Sequence, residues 1–342
     1  MSNAMKIGVV SKFLPEKDGI AIYTENLLNN FKGSIIKIGN FSSKTDYRIK
    51  FDNFDFYEKI NPIIKKEKID LIHFQYIAAW YGKYALNYPF IRALKAIKIP
   101  KVVTLHEVQY DNKGIKNKIL EIIEKKIVKY ADKIIVHTPR QAEFINKKYK
   151  TDKAECIYMG VNIKENDPKK GKNILFFGMI SEGKGVIDLI KAKKYLLDYK
   201  IKIAGRPVTK SYENKIISAA KEGDIELKLG WISEEGKDKL YRWANIIVLP
   251  YRWAPYQSAV LHDALSYGLS VVVTKVGAIW EIVNRFKCGV VAKKGDSQDI
   301  ANSIKFCFEN YNKYTLGVRK YQNIAKLKNS VVKHRELYNK LL

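Results

Sequence analysis

Short runs of apolar, mostly β-branched residues recur along the chain and alternate with segments of helical periodicity. Within each run the apolar residues are continuous, which is typical of strands covered on both faces by helices. Eleven such runs occur, at residues 6–10, 34–38, 70–74, 101–105 and 133–137 and then at 173–177, 200–205, 225–229, 245–250, 270–274 and 289–292. Because they form two sets and exceed what one sheet usually holds, we predict two doubly wound α/β domains with parallel sheets.

The polar segment at residues 160–172 marks the boundary that we predict between the two domains. It contains glycine and proline and has no apolar periodicity. Residues 1–4, which precede a second methionine, are interpreted as an expression scar, so the first domain would span 5–162 and the second 163–322. The chain from Tyr311 onward has no strand pattern and predicts one or two helices.

Polar residues follow most of the predicted strands directly. In open parallel sheets, ligands bind outside the carboxyl ends of the strands, so these residues are candidates for a functional site. Three of the five histidines, His73, His106 and His137, lie at such positions in the first half. The corresponding residues of the second half are 178–185, 205–206, 230–231, 250–257 and 274–281.

Charge and cysteine content narrow the class of protein. The net charge is +27, with 29 basic against 17 acidic residues up to residue 160 and 33 against 18 beyond it. The excess is spread over both halves, so it raises affinity for polyanions without specifying one.

Cys156, Cys288 and Cys307 lack metal-ligand spacing and predict reduced core thiols. Because there is neither an apolar run of about 18 residues nor a signal-peptide pattern, we expect a cytoplasmic protein.

Two segments of the first half combine basic and apolar residues. Residues 81–101 interleave tyrosines with lysines and arginine, and residues 112–130 predict a basic amphipathic helix. Such a pair could lie on an anionic membrane surface, with an apolar ridge dipping into the lipid and lysines meeting phosphates. The alternative is an ordinary pair of helices whose charged faces are solvated.

Two glycine-containing loops could hold an anion. Residues 176–190 predict a strand, a glycine loop and a helix, where the backbone can approach a phosphate and Lys184 supplies charge. The spacing matches neither the dinucleotide-binding nor the P-loop pattern, and a tight strand-to-helix turn explains the glycines equally well. Residues 13–28 contain a second loop ending at Gly19, which either offers amides to a ligand or only starts the helix.

Taken in order, these motifs resemble one known family. The first glycine loop is followed by TLHE (104–107), FFG (176–178), KGV (184–186), LGW (229–231), LPY (249–251) and the dense stretch 257–283. The ordered set resembles the GT-B glycosyltransferases of family 4, retaining enzymes that use nucleotide-sugar donors. The resemblance implies two Rossmann-like domains facing each other across a cleft, with the C-terminal helix 323–342 packing back on the first domain. It also implies a hexosyltransferase that moves a sugar from a UDP- or GDP-sugar to a glycan or lipid-linked acceptor.

The resemblance assigns roles to particular residues of this sequence. His106 matches the active-site histidine near the donor sugar, and Gly19 matches the glycine that approaches the diphosphate from the first domain. Lys184 would bind the donor diphosphate, and Asp263 the donor ribose. Further donor-binding candidates, from the family pattern or from their positions after strands, are Gly178, Gly205, Arg206, Trp231, Tyr251, Gln257, Ser258, Ala259, Val260 and Glu281. The family commonly works without a cofactor or bound metal, so we expect none.

The sequence departs from the family pattern at two positions. An Arg often follows the first glycine of the donor loop, where this chain has Met179, and the first of two signature glutamates would fall at Pro255. Asp263, one methylene shorter, stands at the second glutamate. Adjacent helical residues point about 100° apart, so Asp263 can face a ligand while His262 does not.

Three other functions stay open at this point. A non-catalytic relative acting as a partner subunit is motivated by Met179 and Pro255. A GT-B sugar-nucleotide epimerase would share the fold but would need catalytic acids that the sequence does not offer. A nucleic-acid-binding module is motivated by the charge, but without a recognisable motif or a basic arm we expect no nucleic-acid partner.

Overall fold

The computed structural model of the chain describes residues 5–16, 19–41, 43–82, 87–108, 110, 115–166, 171–221, 223–254 and 257–342. Residues 1–4, interpreted as an expression scar, and Pro255 lie outside this set. By its internal contacts the chain divides into two compact units. The first contains residues up to Gly160 together with Leu327–Leu342, and the second is Val161–Lys326.

The first unit is built on a seven-stranded parallel sheet with the order β3-β2-β1-β4-β5-β6-β7. Its strands are β1 (Lys6–Val10), β2 (Ser34–Gly39), β3 (Tyr47–Arg48), β4 (Leu71–Tyr76), β5 (Lys101–Leu105), β6 (Lys133–Val136) and β7 (Ala154–Cys156). Its helices are α1 (Gly19–Asn29), α2 (Phe56–Glu67), α3 (Tyr88–Ala96), α4 (Ile115–Tyr130) and α5 (Pro139–Tyr149).

The second unit is built on a six-stranded parallel sheet with the order β10-β9-β8-β11-β12-β13. Its strands are β8 (Asn173–Phe177), β9 (Lys200–Gly205), β10 (Glu226–Leu229), β11 (Ile246–Leu249), β12 (Ser270–Thr274) and β13 (Gly289–Ala292). Its helices are α6 (Val186–Ala192), α7 (Lys210–Lys221), α8 (Glu234–Trp243), α9 (Ala259–Ser266), α10 (Ile279–Phe286), α11 (Ser297–Glu309) and α12 (Tyr311–Ala325). The last helix, α13 (Leu327–Asn339), contacts α1 and belongs to the first unit.

The two faces of the first sheet carry separate apolar cores. Val103 packs with α2, α3 and α4, whereas the neighbouring Val102 packs with α1 and α13. Successive strand residues point to opposite faces, so a strand buried on both sides must be continuously apolar. This is the pattern from which the α/β class was predicted, and the parallel sheets confirm it.

All eleven predicted strands are present, and two more occur at the edges of the first sheet. β3 has two residues and β7 has three, and both are only partly buried. Segments this short cannot produce a recognisable apolar run, which is why the sequence did not predict them. Of the three cysteines, all free thiols, Cys288 and Cys307 are buried and Cys156 is half-buried.

The apolar face of α4 belongs to the core of the first unit. Ile123, Ile127 and Val128 are buried there, and Ile119 and Leu120 pack against them. Most of the apolar side chains described on α4 (117–130) are therefore unavailable to lipid, whereas Ile122 is 54 % exposed, and the membrane contact stays a prediction. Among the residues that the structure describes, no helix combines the length and the apolar character needed to cross a membrane.

Candidate functional site

The topology of the second unit defines where a ligand would bind. From β8 the chain runs outward through β9 to β10, and it then returns to β11 and runs the other way to β13. The strand order therefore reverses between β8 and β11, and ligands of doubly wound sheets bind at such a switch point, outside the carboxyl ends of the strands. The described residues of the loops at this point are 178–185 after β8, and 250–254 and 257–258 after β11.

Two glycines allow the loop after β8 to lie against the end of β9. Gly178 and Gly205 have φ values of +124° and +139°. A Cβ on Gly205 would lie 1.8 Å from the Gly178 carbonyl oxygen, and one on Gly178 would lie 3.2 Å from Val260 of α9. The loop continues with the Ile180 amide donating to the Arg206 carbonyl at 2.9 Å, while the Arg206 side chain is exposed. These glycines thus let the backbone after β8 lie against the end of β9 and leave room for the Val260 side chain of α9.

Lys184 stands in the loop after β8 and meets the loop after β11. Its Nζ lies 3.9 Å from the centroid of the Tyr251 ring, and burial lowers its pKa to about 8. The following Gly185 has a φ of +65°, and a Cβ there would lie 1.9 Å from the Pro250 carbonyl oxygen. An anion near Nζ would stabilise the ammonium form, because it offsets the cost of burying the charge.

An ion pair joins the loop after β11 to α6, with the Asp188 carboxylate buried and the Arg252 side chain 52 % exposed. Arg252 donates through Nε and Nη2 to the two carboxylate oxygens of Asp188 at 2.7 and 2.5 Å, and Asp188 is buried. The backbone amides of Arg252 and Trp253 also donate to the Gly183 carbonyl at 2.9 and 3.0 Å. The sequence reasoning missed this pair, since 64 residues separate its members. The pair connects α6, which begins two residues after Lys184, to the loop after β11.

The start of α9 carries the most informative side chain of the site. Gln257 is only 7 % exposed, yet neither its amide oxygen nor its amide nitrogen has a hydrogen-bond partner among the residues that the structure describes. A buried polar group left unsatisfied costs about 1–3 kcal/mol, so such groups usually mark a place where water or a ligand binds. Ser258 occupies the N-cap position of α9 without a capping hydrogen bond from its side chain, and its Oγ lies 3.1 Å from the Tyr251 hydroxyl.

Asp263 lies one turn further along α9 and is paired with a residue that the sequence analysis did not single out. Lys237 of α8 places its Nζ 2.7 Å from Asp263 Oδ2. Burial raises the pKa of Asp263, and the Lys237 ammonium opposes that rise. The neighbouring His262 is buried and pairs through Nδ1 with the Tyr321 hydroxyl of α12. As predicted, the two adjacent side chains point to different surroundings.

The remaining donor-side candidates lie at other strand ends of the same unit. Trp231 follows β10 after Gly230, whose φ is +114°, and its side chain is 63 % exposed. Glu281 is buried in the first turn of α10, beyond β12. Ala259 and Val260 form the first turn of α9. Their roles toward a donor stay predictions.

In the first unit, His106 follows β5 and belongs to a buried hydrogen-bonded chain. Its Nε2 lies 2.7 Å from Gln75 Oε1, and its Nδ1 lies 3.3 Å from His137 Nε2. His137 Nδ1 in turn lies 3.0 Å from the Ile157 carbonyl. Burial lowers the pKa of both histidines, that of His137 to about 4. Gly19 is exposed at the first position of α1.

The Ile157 carbonyl determines which ring nitrogens of His137 and His106 carry a proton. A carbonyl can only accept, so the proton of a neutral His137 is on Nδ1, and its Nε2 accepts from His106 Nδ1–H. The Nε2 of a neutral His106 is then an acceptor, so the Gln75 amide must be turned over to exchange Oε1 for its NH2 group at this position. With both ring nitrogens engaged and 4 % of the residue exposed, a sugar contact through Nε2 requires Gln75 to be displaced. The catalytic role of His106 stays a prediction.

Comparisons with known proteins match both units. Residues 162–324 match the family described as Glycosyl transferases group 1, and residues 25–165 match Glycosyltransferase Family 4. An uncharacterized glycosyltransferase of Methanocaldococcus jannaschii is 28 % identical over 327 residues, covering 88 % of this chain and 87 % of the relative.

Solved structures reproduce the same fold over nearly the whole chain. Sucrose-phosphate synthase from Thermosynechococcus elongatus has a TM-score of 0.78 at 18 % identity, covering 98 % of this chain and 99 % of that one. Anabaena HepE, solved in complex with UDP, has a TM-score of 0.77 at 15 % identity, covering 98 % and 100 %. At these identities the likeness is one of fold.

Proposed function

Because the chain belongs to the group 1 glycosyltransferases with the GT-B fold, we propose that it is a retaining enzyme that uses a UDP- or GDP-sugar. The acceptor would be a glycan or a lipid-linked sugar in the assembly of a cell-surface polysaccharide, glycolipid or glycoprotein. The observation that carries the proposal is the buried, unpartnered amide of Gln257 at the start of α9, at the switch point of the second sheet. Such a group is expected where a polar ligand completes the site.

The residues around Gln257 suit the successive parts of a nucleotide sugar. The amides at the N-terminus of α9 and the ammonium of Lys184 would bind the diphosphate, since helix starts and cations favour anions. Asp263 would accept hydrogen bonds from the ribose hydroxyls, and the exposed ring of Trp231 would pack on the base. Gln257 would donate to and accept from hydroxyls of the sugar. The HepE protein, solved with UDP and with UDP-glucose, supports this class of donor.

The proposed reaction proceeds at one face of the sugar without a protein nucleophile. The bond from the anomeric carbon to the phosphate oxygen breaks, and its electron pair stays with the nucleoside diphosphate. The acceptor oxygen bonds to the same face of the carbon, and its proton passes to the leaving phosphate oxygen. Lys184 and the start of α9 would stabilise the charge that develops on the diphosphate. We propose that no metal is needed, so EDTA should leave turnover unchanged.

Association with an anionic membrane surface is the second part of the proposal. On α4, Lys118, Lys125, Lys126 and Lys129 are exposed. Two aromatic side chains of the same unit, Phe54 and Tyr88, are 67 % and 55 % exposed, with ring centroids 6.4 Å apart. Because the apolar face of α4 is buried, the contact would be mainly electrostatic and would weaken with salt.

Sedimentation with anionic liposomes at low salt tests the membrane proposal. We expect the wild type to sediment with the vesicles, and the Lys125→Glu, Lys129→Glu double variant to sediment less. The matched control is Arg319→Glu with Lys320→Glu, the same change of charge on the exposed face of α12 in the other unit. Equal loss in both double variants would mean that total charge, and not this surface, drives binding.

Thermal denaturation with a panel of nucleoside diphosphates and their sugars tests the donor proposal. We expect stabilisation by UDP or GDP and by one of their sugars, and donor hydrolysis in the absence of acceptor. His106→Ala should lose turnover while still binding the diphosphate, whereas Asp263→Ala should weaken donor binding. If no nucleoside diphosphate stabilises the protein, the proposed donor is wrong.

A further inference from the structure

The pairing of Lys237 with Asp263 is close, and its lysine is largely shielded from water. Lys237 Nζ lies 2.7 Å from Asp263 Oδ2, and the lysine side chain is 17 % exposed. Its other acidic neighbour is Glu234 at 3.7 Å, whose side chain is 83 % exposed. A cation shielded to this extent interacts more strongly with its partner than a surface ion pair does.

The ion pair is not what joins α8 to the end of α9. That connection has contacts of its own: the Tyr267 hydroxyl donates to Asp238 Oδ1 at 2.8 Å, and the Tyr241 and Tyr267 rings lie 5.0 Å apart. Asp238 is held in turn by Arg242 at 2.7 Å. Removing the charge of Lys237 therefore leaves the packing of these helices with its main contacts.

The pairing with Lys237 leaves Asp263 able to accept further hydrogen bonds from a ligand. Only Oδ2 is bound by Lys237, and the aspartate side chain is still 37 % exposed. A carboxylate has about four acceptor positions, so after one is used by lysine it can still receive two hydroxyl groups. A protonated carboxyl has fewer acceptor positions and would itself have to donate. Partial burial favours that neutral form, which Lys237 opposes.

We propose that Lys237 is a positioning residue for the nucleoside: it keeps Asp263 ionised and oriented so that the carboxylate accepts hydrogen bonds from both ribose hydroxyls. The inference rests on the proposed function, because it takes Asp263 as the ribose-binding residue. The pairing also explains how a carboxylate can lie in the same site as a diphosphate. The ion pair is neutral overall, so the carboxylate adds little repulsion toward the phosphates.

Binding measurements with UDP and GDP and their 2′-deoxy and 3′-deoxy analogues test the proposal. In Lys237→Met and Lys237→Gln, we expect the affinity for the ribonucleoside diphosphate to fall by about 10-fold, the effect of one hydrogen bond to a charged group. Discrimination against the deoxy analogues should shrink in both. Lys237→Arg, which restores the charge, should recover most of the affinity. Lys239→Met is the matched control, because Lys239 lies on the same helix and pairs with Glu235 at 2.6 Å, with both side chains exposed.

The pH dependence separates positioning from a merely structural role. The groups that act on Asp263 are Lys237 and Glu234 of α8, and Lys164, with the Tyr241 and Tyr267 hydroxyls nearby. Without the Lys237 ammonium the pKa of Asp263 rises, so the carboxylate is lost at a higher pH. The affinity of Lys237→Met relative to wild type should therefore fall further as the pH drops from about 7 to about 5. Taking this ratio cancels the protonation of the diphosphate itself, which occurs near pH 6.

The outcomes separate this inference from the proposed function. If Asp263→Asn weakens binding but the neutral Lys237 variants bind like the wild type at every pH, the role of Lys237 is refuted and the donor proposal stands. If UDP or GDP binds but Asp263→Asn has no effect, the ribose assignment fails and the inference fails with it. If neither nucleotide binds the wild type, both proposals are overturned. Unfolding temperatures within a few degrees of the wild type establish that the variants are folded.

Discussion

The affinity for a nucleoside diphosphate should fall as the pH rises from about 7 to about 9, because Lys184 loses its charge in this range. Burial lowers the pKa of Lys184 to about 8 in the free protein. The ammonium form is then about nine-tenths populated at pH 7 and about one-tenth at pH 9. If only that form binds the diphosphate, the dissociation constant rises by about 10-fold, or about 1.4 kcal/mol.

Isothermal titration at several pH values, with UDP or GDP according to which one binds, is the assay. The diphosphate is already about nine-tenths ionised at pH 7, and burial lowers the pKa of His73, His106, His137 and His334, so these groups contribute little to the change. Lys184→Arg should bind with no pH dependence in this range, because a guanidinium stays protonated. Lys184→Met should also show none, and its affinity at pH 7 should be at least 10-fold lower.

Two results would refute this reasoning in different ways. A wild-type affinity that is constant from pH 7 to 9, together with a weak Lys184→Met, would mean that the lysine binds the diphosphate but that burial does not lower its pKa. A Lys184→Met variant that binds as well as the wild type at pH 7 would remove Lys184 from the diphosphate site altogether.

Three further predictions concern stability and the sugar contact. Gly185→Ala should cost about 2–4 kcal/mol in chemical denaturation, because of its φ of +65° and a Cβ 1.9 Å from a backbone oxygen, whereas the control Gly295→Ala (φ +75°, open space) should cost about 1 kcal/mol. Gln257→Leu should leave stability unchanged or raise it by about 1 kcal/mol while raising KM for the nucleotide sugar; a clear loss of stability would mean that the amide is satisfied within the fold. Since burial lowers the pKa of His334 to about 4, the folded state binds fewer protons than the unfolded one, and unfolding temperature should drop between pH 6.5 and 4, less steeply in His334→Leu.

The main elements of the fold could be predicted from the sequence because burial on both faces of a sheet leaves a local signature. Each of the eleven apolar runs became a parallel strand, and the residues that follow them lie at the carboxyl edges of the sheets. The short edge strands β3 and β7 left no such signature, because a two- or three-residue segment has too few side chains to form a pattern. The apolar residues of α4 indicated an amphipathic helix correctly, but not what its apolar face packs against.

The sequence predicted which residues follow the strands but not the contacts that these residues make. The ordered motifs pointed to Lys184 and Gln257, in the loops after β8 and β11, and to Asp263 on α9, and their roles toward a donor stay predictions. What the sequence did not indicate was Lys237 beside Asp263, the Arg252–Asp188 pair, or the engagement of both nitrogens of His106.

The physical reason is the distance along the sequence between the residues that determine each structural property. Whether a segment forms a strand or a helix, and which face is apolar, depends on residues a few positions apart, so the sequence by itself determines it. Which ammonium meets which carboxylate, and whether an amide is buried without a partner, depends on surfaces that meet only when distant segments pack. Lys237 and Asp263 stand on different helices with β11 between them, and only the tertiary structure brings their charges to 2.7 Å.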